Sequence, residues 1–220
     1  MVADDKESIE EKELDHDWPN LKYYDQRNLD LLSDNRETKI VFMGDSITEG
    51  WAEIKPEFFL NENYVNRGIG GQTTPQMLVR FRQDVIDLKP KAVVILAGTN
   101  DIAGNTGPST VKMITDNLFT MSDIALQNNM KVVLCSILPV FKYPWNENII
   151  EPFKTIININ KILKNYALDN KLFYIDYYSY MVDNRPGLKS KYTTDEVHLN
   201  EAGYELMSQI VNDFIINNLN

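Results

Sequence analysis

The chain has 220 residues, 43% of them apolar and 25% charged, which supports one ordinary domain with a sizeable core and excludes a wholly disordered polymer. Its 22 Lys and Arg stand against 32 Asp and Glu, and the resulting formal charge of −10 has the wrong sign for neutralising phosphates or sitting on anionic lipid. Nucleic acid and membrane partners are therefore not expected. No apolar run approaches the roughly 18 to 20 residues that cross a bilayer.

Residues 1–17 hold eight acids and two lysines, more than half of the net charge, and are expected to form an acidic, solvated extension. The chain opens on acids instead of a basic segment and an apolar stretch, so a cytoplasmic location is expected by default, or a periplasmic or secreted one if the N terminus was trimmed. Residues 18–37, from Trp18-Pro19 through a helical stretch to about Leu32, form a lead-in that packs on its own domain or on a neighbour. The rest, 38–220, is expected to be a single domain.

From Thr38 onward, short runs rich in Val and Ile alternate with helical patterns, the signature of a parallel sheet covered on both faces. The predicted strands are Lys39 to Met43, Tyr64 to Asn66, Ala92 to Ala97, Lys131 to Ile137 and Leu172 to Asp176. One helix places Leu78, Phe81, Val85 and Leu88 on a face, and another places Val111, Ile114, Leu118, Met121 and Ala125. A third runs from about Pro152 to Leu168, and the last carries Ala202, Leu206, Ile210 and Phe214. The single cysteine, Cys135, lies in an apolar run and reads as a small core residue. In open α/β sheets ligands bind beyond the carboxyl ends of the strands, so the residues there are the ones to search for chemistry.

The first strand is followed by Gly44-Asp45-Ser46-Ile47-Thr48-Glu49-Gly50-Trp51, which puts Ser46 at a helix N-terminus. An unpaired N–H and the helix dipole there suit a nucleophile and an oxyanion, although a plain capping serine would look the same. Thr48 stands where the G-x-S-x-G elbow needs glycine, so a different serine scaffold is required. The second strand leads into Gly68-Ile69-Gly70-Gly71-Gln72-Thr73-Thr74-Pro75, which lacks the third glycine of a dinucleotide loop, and no G-K-[ST] phosphate loop occurs. The third leads into Gly98-Thr99-Asn100-Asp101, where the Asn100 amide could donate into a site.

A serine nucleophile needs an imidazole base, and the chain has two histidines. His16 lies in the acidic extension, which leaves His198. In Asp195-Glu196-Val197-His198 a carboxylate three residues earlier can hold Nδ1–H and aim Nε2 at Ser46.

Taken together, the four blocks resemble the SGNH hydrolases, also called the GDSL esterase/lipase family: a serine after Gly-Asp, a glycine, an Asn in Gly-x-Asn-Asp, and Asp-x-x-His. The likeness runs from about Lys39 to the last helix and implies a three-layer α/β/α flavodoxin-like fold with a five-stranded parallel sheet. It implies Ser46 as nucleophile, His198 as base and then acid, and Asp195 as its orienting partner. The backbone N–H groups of Ser46 and Gly71 and the Asn100 amide would form the oxyanion hole, with Asp45 and Asp101 as structural supports. Gln72 stands where the family has Asp, and Ile47 where Leu is commoner. The glycine-rich stretch is also similar to the catalytic subunits of platelet-activating-factor acetylhydrolase and to related bacterial acylhydrolases, which implies short acyl groups, acetyl above all.

The expected activity is a serine esterase on short-chain carboxylic esters, such as O-acetyl groups on carbohydrates, acting without metal or organic cofactor. A lysophospholipase or thioesterase on the same triad is the alternative. Trp145 and Tyr143, after the fourth strand, could wall an acyl group or stack on a sugar. A metal-dependent phosphoesterase using Asp45, Asn100, Asp101 and His198 would need more histidines than the fold contains, and a non-catalytic binding module would have no use for an intact set of four blocks. A monomer and a homo-oligomer fit the sequence equally.

Overall fold

The computed structural model describes residues 17–34, 37–60 and 63–219, so of the acidic extension only Asp17 is described, and His16 lies outside. Its centre is a parallel sheet of β1 (Ile40–Gly44), β2 (Tyr64–Gly68), β3 (Ala92–Leu96), β4 (Lys131–Cys135) and β5 (Phe173–Ile175). The strand order is β2-β1-β3-β4-β5, the flavodoxin-like arrangement. Each strand lies within two residues of its predicted bounds, the largest differences being the C-terminal ends of β4, two residues shorter, and of β2, two residues longer.

Alternation along the strands sorts the core into two layers. On one face Val41, Met43, Val93, Ile95, Val132 and Leu134 meet α4 (Thr74–Phe81), α6 (Val111–Gln127) and α7 (Pro152–Asp169) through Phe81, Leu118 and Ile159. On the other face Ile40, Phe42, Val94, Leu96, Val133 and Ile175 meet α2 (Ser46–Ile54), α3 (Pro56–Leu60) and α9 (Glu201–Asn218) through Trp51, Phe58 and Met207, and the short α5 (Thr99–Ala103) and α8 (Tyr177–Met181) follow β3 and β5. Cys135 is buried in this second layer, and burial pushes its thiol well above the ordinary range, so it packs as a small apolar group.

The stripe expected on the last helix is turned by one position. Gly203, Tyr204, Met207, Ser208, Val211 and Ile215 are buried, Leu206, Ile210 and Phe214 only flank the core, and Ala202 is exposed. A period of four drifts about 40° per step on a helix of 3.6 residues per turn, so a straight line of fours leaves the buried face. On α4, Met77 is fully buried while Leu78 is partly so, and a π-helical turn at Arg82–Ile86 carries the face on to Val85.

The lead-in contains a 3₁₀ turn, Leu21–Tyr23, and then α1 (Asp25–Ser33). It packs on its own chain: Asn28 bonds Asp84 and Arg67, and the Tyr24 hydroxyl donates to Gly68 O at 2.5 Å. Among the described residues no helix is long and apolar enough to cross a membrane.

Candidate active site

Chain order 2-1-3 makes the connections leave β1 in opposite directions, and the crevice so formed lies beyond the carboxyl ends of β1, β2 and β3. Those ends launch the serine, the glycine loop and Asn100. Gly44 and Gly68 face each other in register where the first turn of α2 crosses the two strands. A Cβ on Gly68 would stand 2.1 Å from Glu49 N, and one on Gly44 would stand 2.8 Å from Leu96 O, so no larger residue fits without moving backbone.

Asp45, not Ser46, caps the helix, since its carboxylate accepts from Ile47 N at 3.0 Å. Ser46 is therefore the first helical residue, its N–H lacks an intrahelical acceptor, and its hydroxyl faces the crevice. Asp45 is fully buried, and desolvation raises its carboxyl to about 7 against the opposing pull of the Ile47 N–H and His198.

Ser46 Oγ lies 3.0 Å from His198 Nε2, across 152 residues of sequence. On the far side of the ring, His198 Nδ1 lies 2.7 Å from Asp195 Oδ2. The other carboxylate oxygen accepts from Val197 N at 2.9 Å and His198 N at 2.7 Å, so one side chain fixes both the ring and the loop that carries it. A carboxylate only accepts, which puts the proton on Nδ1 and leaves Nε2 to accept from the serine. Burial works against ionisation of Asp195, but the bonds from the His198 ring and the two N–H groups outweigh it and hold its carboxyl below the ordinary range. Thr193 closes the loop by donating to His198 O at 2.6 Å, and Arg185 pairs with Glu196, which holds a left-handed φ of 71°.

Gly70 and Gly71 differ in what their N–H groups meet. Gly70 N donates to Glu49 Oε2 at 2.8 Å, whereas Gly71 N has no acceptor among the described residues. Gly71 has φ +74°, a backbone region open to glycine at little cost. Asn100 is buried; its Nδ2 gives one N–H to Gln72 O at 3.0 Å and has a second to offer, while its Oδ1 accepts from Asn105 Nδ2 at 3.1 Å. Asp101 accepts from Thr74 N and from Thr74 Oγ1 at 2.6 Å, so it braces the start of α4.

The two aromatic residues part company. Trp145 is exposed and its ring lies against His198, with centroids 6.0 Å apart and planes 30° apart. Tyr143 is buried and bonded to Thr99 Oγ1 at 2.9 Å, so it supports the loop from beneath instead of walling the crevice. Among the described residues no three His, Cys, Asp or Glu side chains gather as a metal site. A cavity of about 600 Å³ lies at the amino ends of the strands, between Lys39, Ile40, Ala92 and Ile215, at the opposite end of β1 from the serine.

Glu49 and Arg80 escaped the sequence reading, and Gln72 is read there only as standing in place of Asp. Arg80 has no exposed side-chain surface; it donates to Gly44 O, Arg67 O and Gln72 Oε1 and pairs with Asp84 at 2.9 Å. The available signal was Arg80 and Asp84 four apart, in line with Met77 and Phe81 on an apolar face.

A family model described as GDSL-like lipase/acylhydrolase matches residues 42–206. Among solved structures, a Bacteroides fragilis chain proposed to be an acylhydrolase shares 42% identity and a TM-score of 0.89, over 92% of this chain and 99% of that one. An uncharacterized lipoprotein of Bacillus subtilis is 33% identical over 120 residues, 47% of this chain and 49% of its own. Rat platelet-activating factor acetylhydrolase IB subunit alpha1 is 30% identical over 117 residues, 51% of this chain and 48% of its own. The chain spans about half the length of the curated relatives it matches.

Proposed function

The chain belongs to the GDSL-like lipase/acylhydrolase family, and from that premise we propose that it is a serine esterase that removes short acyl groups, acetyl foremost, from small neutral esters such as acetylated carbohydrates. The single observation that carries this is the relay Ser46 Oγ to His198 Nε2 at 3.0 Å and His198 Nδ1 to Asp195 Oδ2 at 2.7 Å.

Ser46 Oγ attacks the ester carbonyl carbon while its proton passes to His198 Nε2, and Asp195 stabilises the imidazolium. The carbonyl π electrons move onto oxygen, where the N–H groups of Ser46 and Gly71 and the spare N–H of Asn100 receive the charge. The oxyanion collapses, the C–O bond to the alcohol breaks, and His198 returns the proton to the leaving oxygen. Water then attacks the acyl-serine, giving a proton to His198 and releasing acid and free serine by the same steps reversed. The triad, the oxyanion donors and the attacking water account for every proton and charge in this sequence, so it requires no cofactor.

Acetyl preference is supported by the rat relative's name, an acetylhydrolase. The exposed Trp145 ring beside His198 suits a sugar face on the alcohol side. Purified wild type should hydrolyse p-nitrophenyl acetate and be labelled at Ser46 by a fluorophosphonate, and Ser46→Ala should do neither. A folded Ser46→Ala protein as fast as wild type sinks the assignment. Comparing acetyl, butyryl and octanoyl esters with acetylated xylan, acetylated sialate and lysophospholipid identifies the acyl and alcohol parts.

A further inference from the structure

We infer that Gln72 is a positioning residue for the oxyanion hole, and that its amide, in place of a carboxylate, ties the hole to the lead-in at residues 17–34. This rests on the serine-esterase reading above. Gln72 is 1% exposed, and all four of its polar groups are engaged. Its backbone N donates to Ile69 O at 3.3 Å, closing the glycine turn, and its backbone O receives Asn100 Nδ2 at 3.0 Å. Its Oε1 receives Arg80 Nε at 2.5 Å, and its Nε2 donates to Pro19 O at 2.7 Å. The two partners leave no doubt about the amide's orientation, since a guanidinium only donates and a carbonyl only accepts.

Two of the proposed oxyanion donors are therefore one link from Gln72, and the third is reached through Arg80 and Gly44. Gly71 is its neighbour in the chain. Asn100 is aimed by its carbonyl. Ser46 stands two residues after Gly44, whose carbonyl is held by Arg80 Nη2 at 3.1 Å, and the Arg80 head is held in turn by Gln72 Oε1.

The family resemblance noted in the sequence puts Asp where this chain has Gln, and the contacts say what the amide does. A carboxylate could receive Arg80, but its second oxygen would face the Pro19 carbonyl oxygen with no proton between them. An amide serves both sides. Gln76 and Gln83 repeat the device, donating to Trp18 O at 2.7 Å and Leu21 O at 2.5 Å, so the lead-in is latched by three glutamine amides. Gln76 also accepts from Thr73 N at 3.0 Å, but of the three latches only Gln72 bonds both Arg80 and Asn100.

The test compares Gln72→Glu, nearly isosteric and still able to receive Arg80, with Gln83→Met, which cuts a latch remote from the crevice. Both are assayed at pH 8 on p-nitrophenyl acetate, with phenylboronic acid as an oxyanion probe. The boronic acid adds Ser46 Oγ to trigonal boron, the serine proton passes to His198, and nothing leaves. Gln72→Glu should lower kcat by about tenfold to 100-fold, the cost of a small misplacement of catalytic groups, with KM changed by less than about threefold. The boronate inhibition constant should rise by the same factor as kcat falls. Gln83→Met should lower the thermal midpoint and leave kcat within about twofold of wild type. If Gln72→Glu does not fold, Gln72→Met, neutral and of similar length, is held to the same outcome.

Wild-type kcat and boronate affinity in a folded Gln72 variant overturn the inference. So does a matching loss of kcat in Gln83→Met, because lead-in anchoring alone would then be responsible. An inactive wild type that no fluorophosphonate labels would instead sink the esterase reading itself.

Discussion

Ser46 and His198 meet at 3.0 Å from surroundings of opposite character. On the serine side Asp45, Gln72, Arg80, Asn100 and Asp101 are all buried, and they hold the strand ends and the glycine loop through paired polar groups. On the histidine side the side chains of His198 and Asp195 are 39% and 43% exposed, and the loop relies on short local bonds from Asp195 and Thr193. Val197 and Leu199, buried on either side of His198, anchor that loop to the two core layers. The difference follows from what each half does in the proposed reaction. Oxyanion donors must already point at the developing charge, so rigidity serves them. The base must exchange a proton with the serine, the leaving alcohol and water in turn, and a half-exposed ring can reach all three.

Substitutions on the two sides should therefore separate activity from stability. His198→Ala is expected to lower kcat by several powers of ten with little change in thermal midpoint, because no buried group loses a partner. Asn100→Ala is expected to cost about 10²- to 10³-fold in kcat and also stability, about 1–3 kcal/mol for the buried groups it strands. Those groups include Gln72 O. Denaturant midpoints measured beside kcat check both, and the comparison breaks if His198→Ala proves the less stable protein.

The two aspartates nearest the relay sharpen the same contrast through pH. Burial raises Asp45 to about 7, far above an unfolded aspartate near 3.9, so between those values the folded chain keeps a proton that the unfolded chain has lost. Stability contributed by this group falls as pH rises across that window. Asp195 is shifted downward, so its contribution is present above the unfolded value and is lost only as pH falls below about 4. Asp45→Asn keeps an acceptor for Ile47 N, and its thermal midpoint relative to wild type should climb from pH 4.5 to 7.5. Asp195→Asn should show a constant offset over that range. A flat difference for Asp45→Asn would mean that the buried carboxyl ionises as freely as an exposed one.

How much of this could be read from the sequence divides along the same line. Strand positions were legible because buried parallel strands are continuous Val and Ile runs, and Ser46, Asn100, Asp195 and His198 because each follows a strand or precedes the last helix. The choice of Gly71 came from family resemblance, and the reason for it, Glu49 occupying Gly70 N–H, exists only in three dimensions. Arg80 and Gln72 were hidden for a different reason. Beyond the Arg80–Asp84 pair, four apart, they bind backbone carbonyls at Gly44, Arg67 and Pro19, which no side-chain pattern records. The buried face of the last helix was displaced by one residue because Ala202, Leu206, Ile210 and Phe214 are the more apolar line by type, whereas Gly203 and Ser208 are buried for their small size. A Cβ on Gly203 would stand 2.6 Å from Tyr192 O.

The smallest expected effect lies at the rim of the histidine side. The Trp145 ring is 48% exposed, rests against His198 and touches the buried Tyr143 ring at a centroid distance of 5.4 Å. Trp145→Ala removes one wall of the approach to the ring without unpairing a buried polar group, so the thermal midpoint should move little. If the indole only receives the alcohol part, KM for an acetylated sugar should rise about tenfold, near 1.4 kcal/mol of lost contact, with kcat kept. A flexible aryl ester such as p-nitrophenyl acetate should lose less. If the indole instead holds His198 in register with Ser46, kcat should fall for both substrates by the same factor, and Trp145→Phe should restore it through ring contact alone. The ratio of the two kcat values thus decides whether this half of the site keeps its geometry through Asp195 unaided.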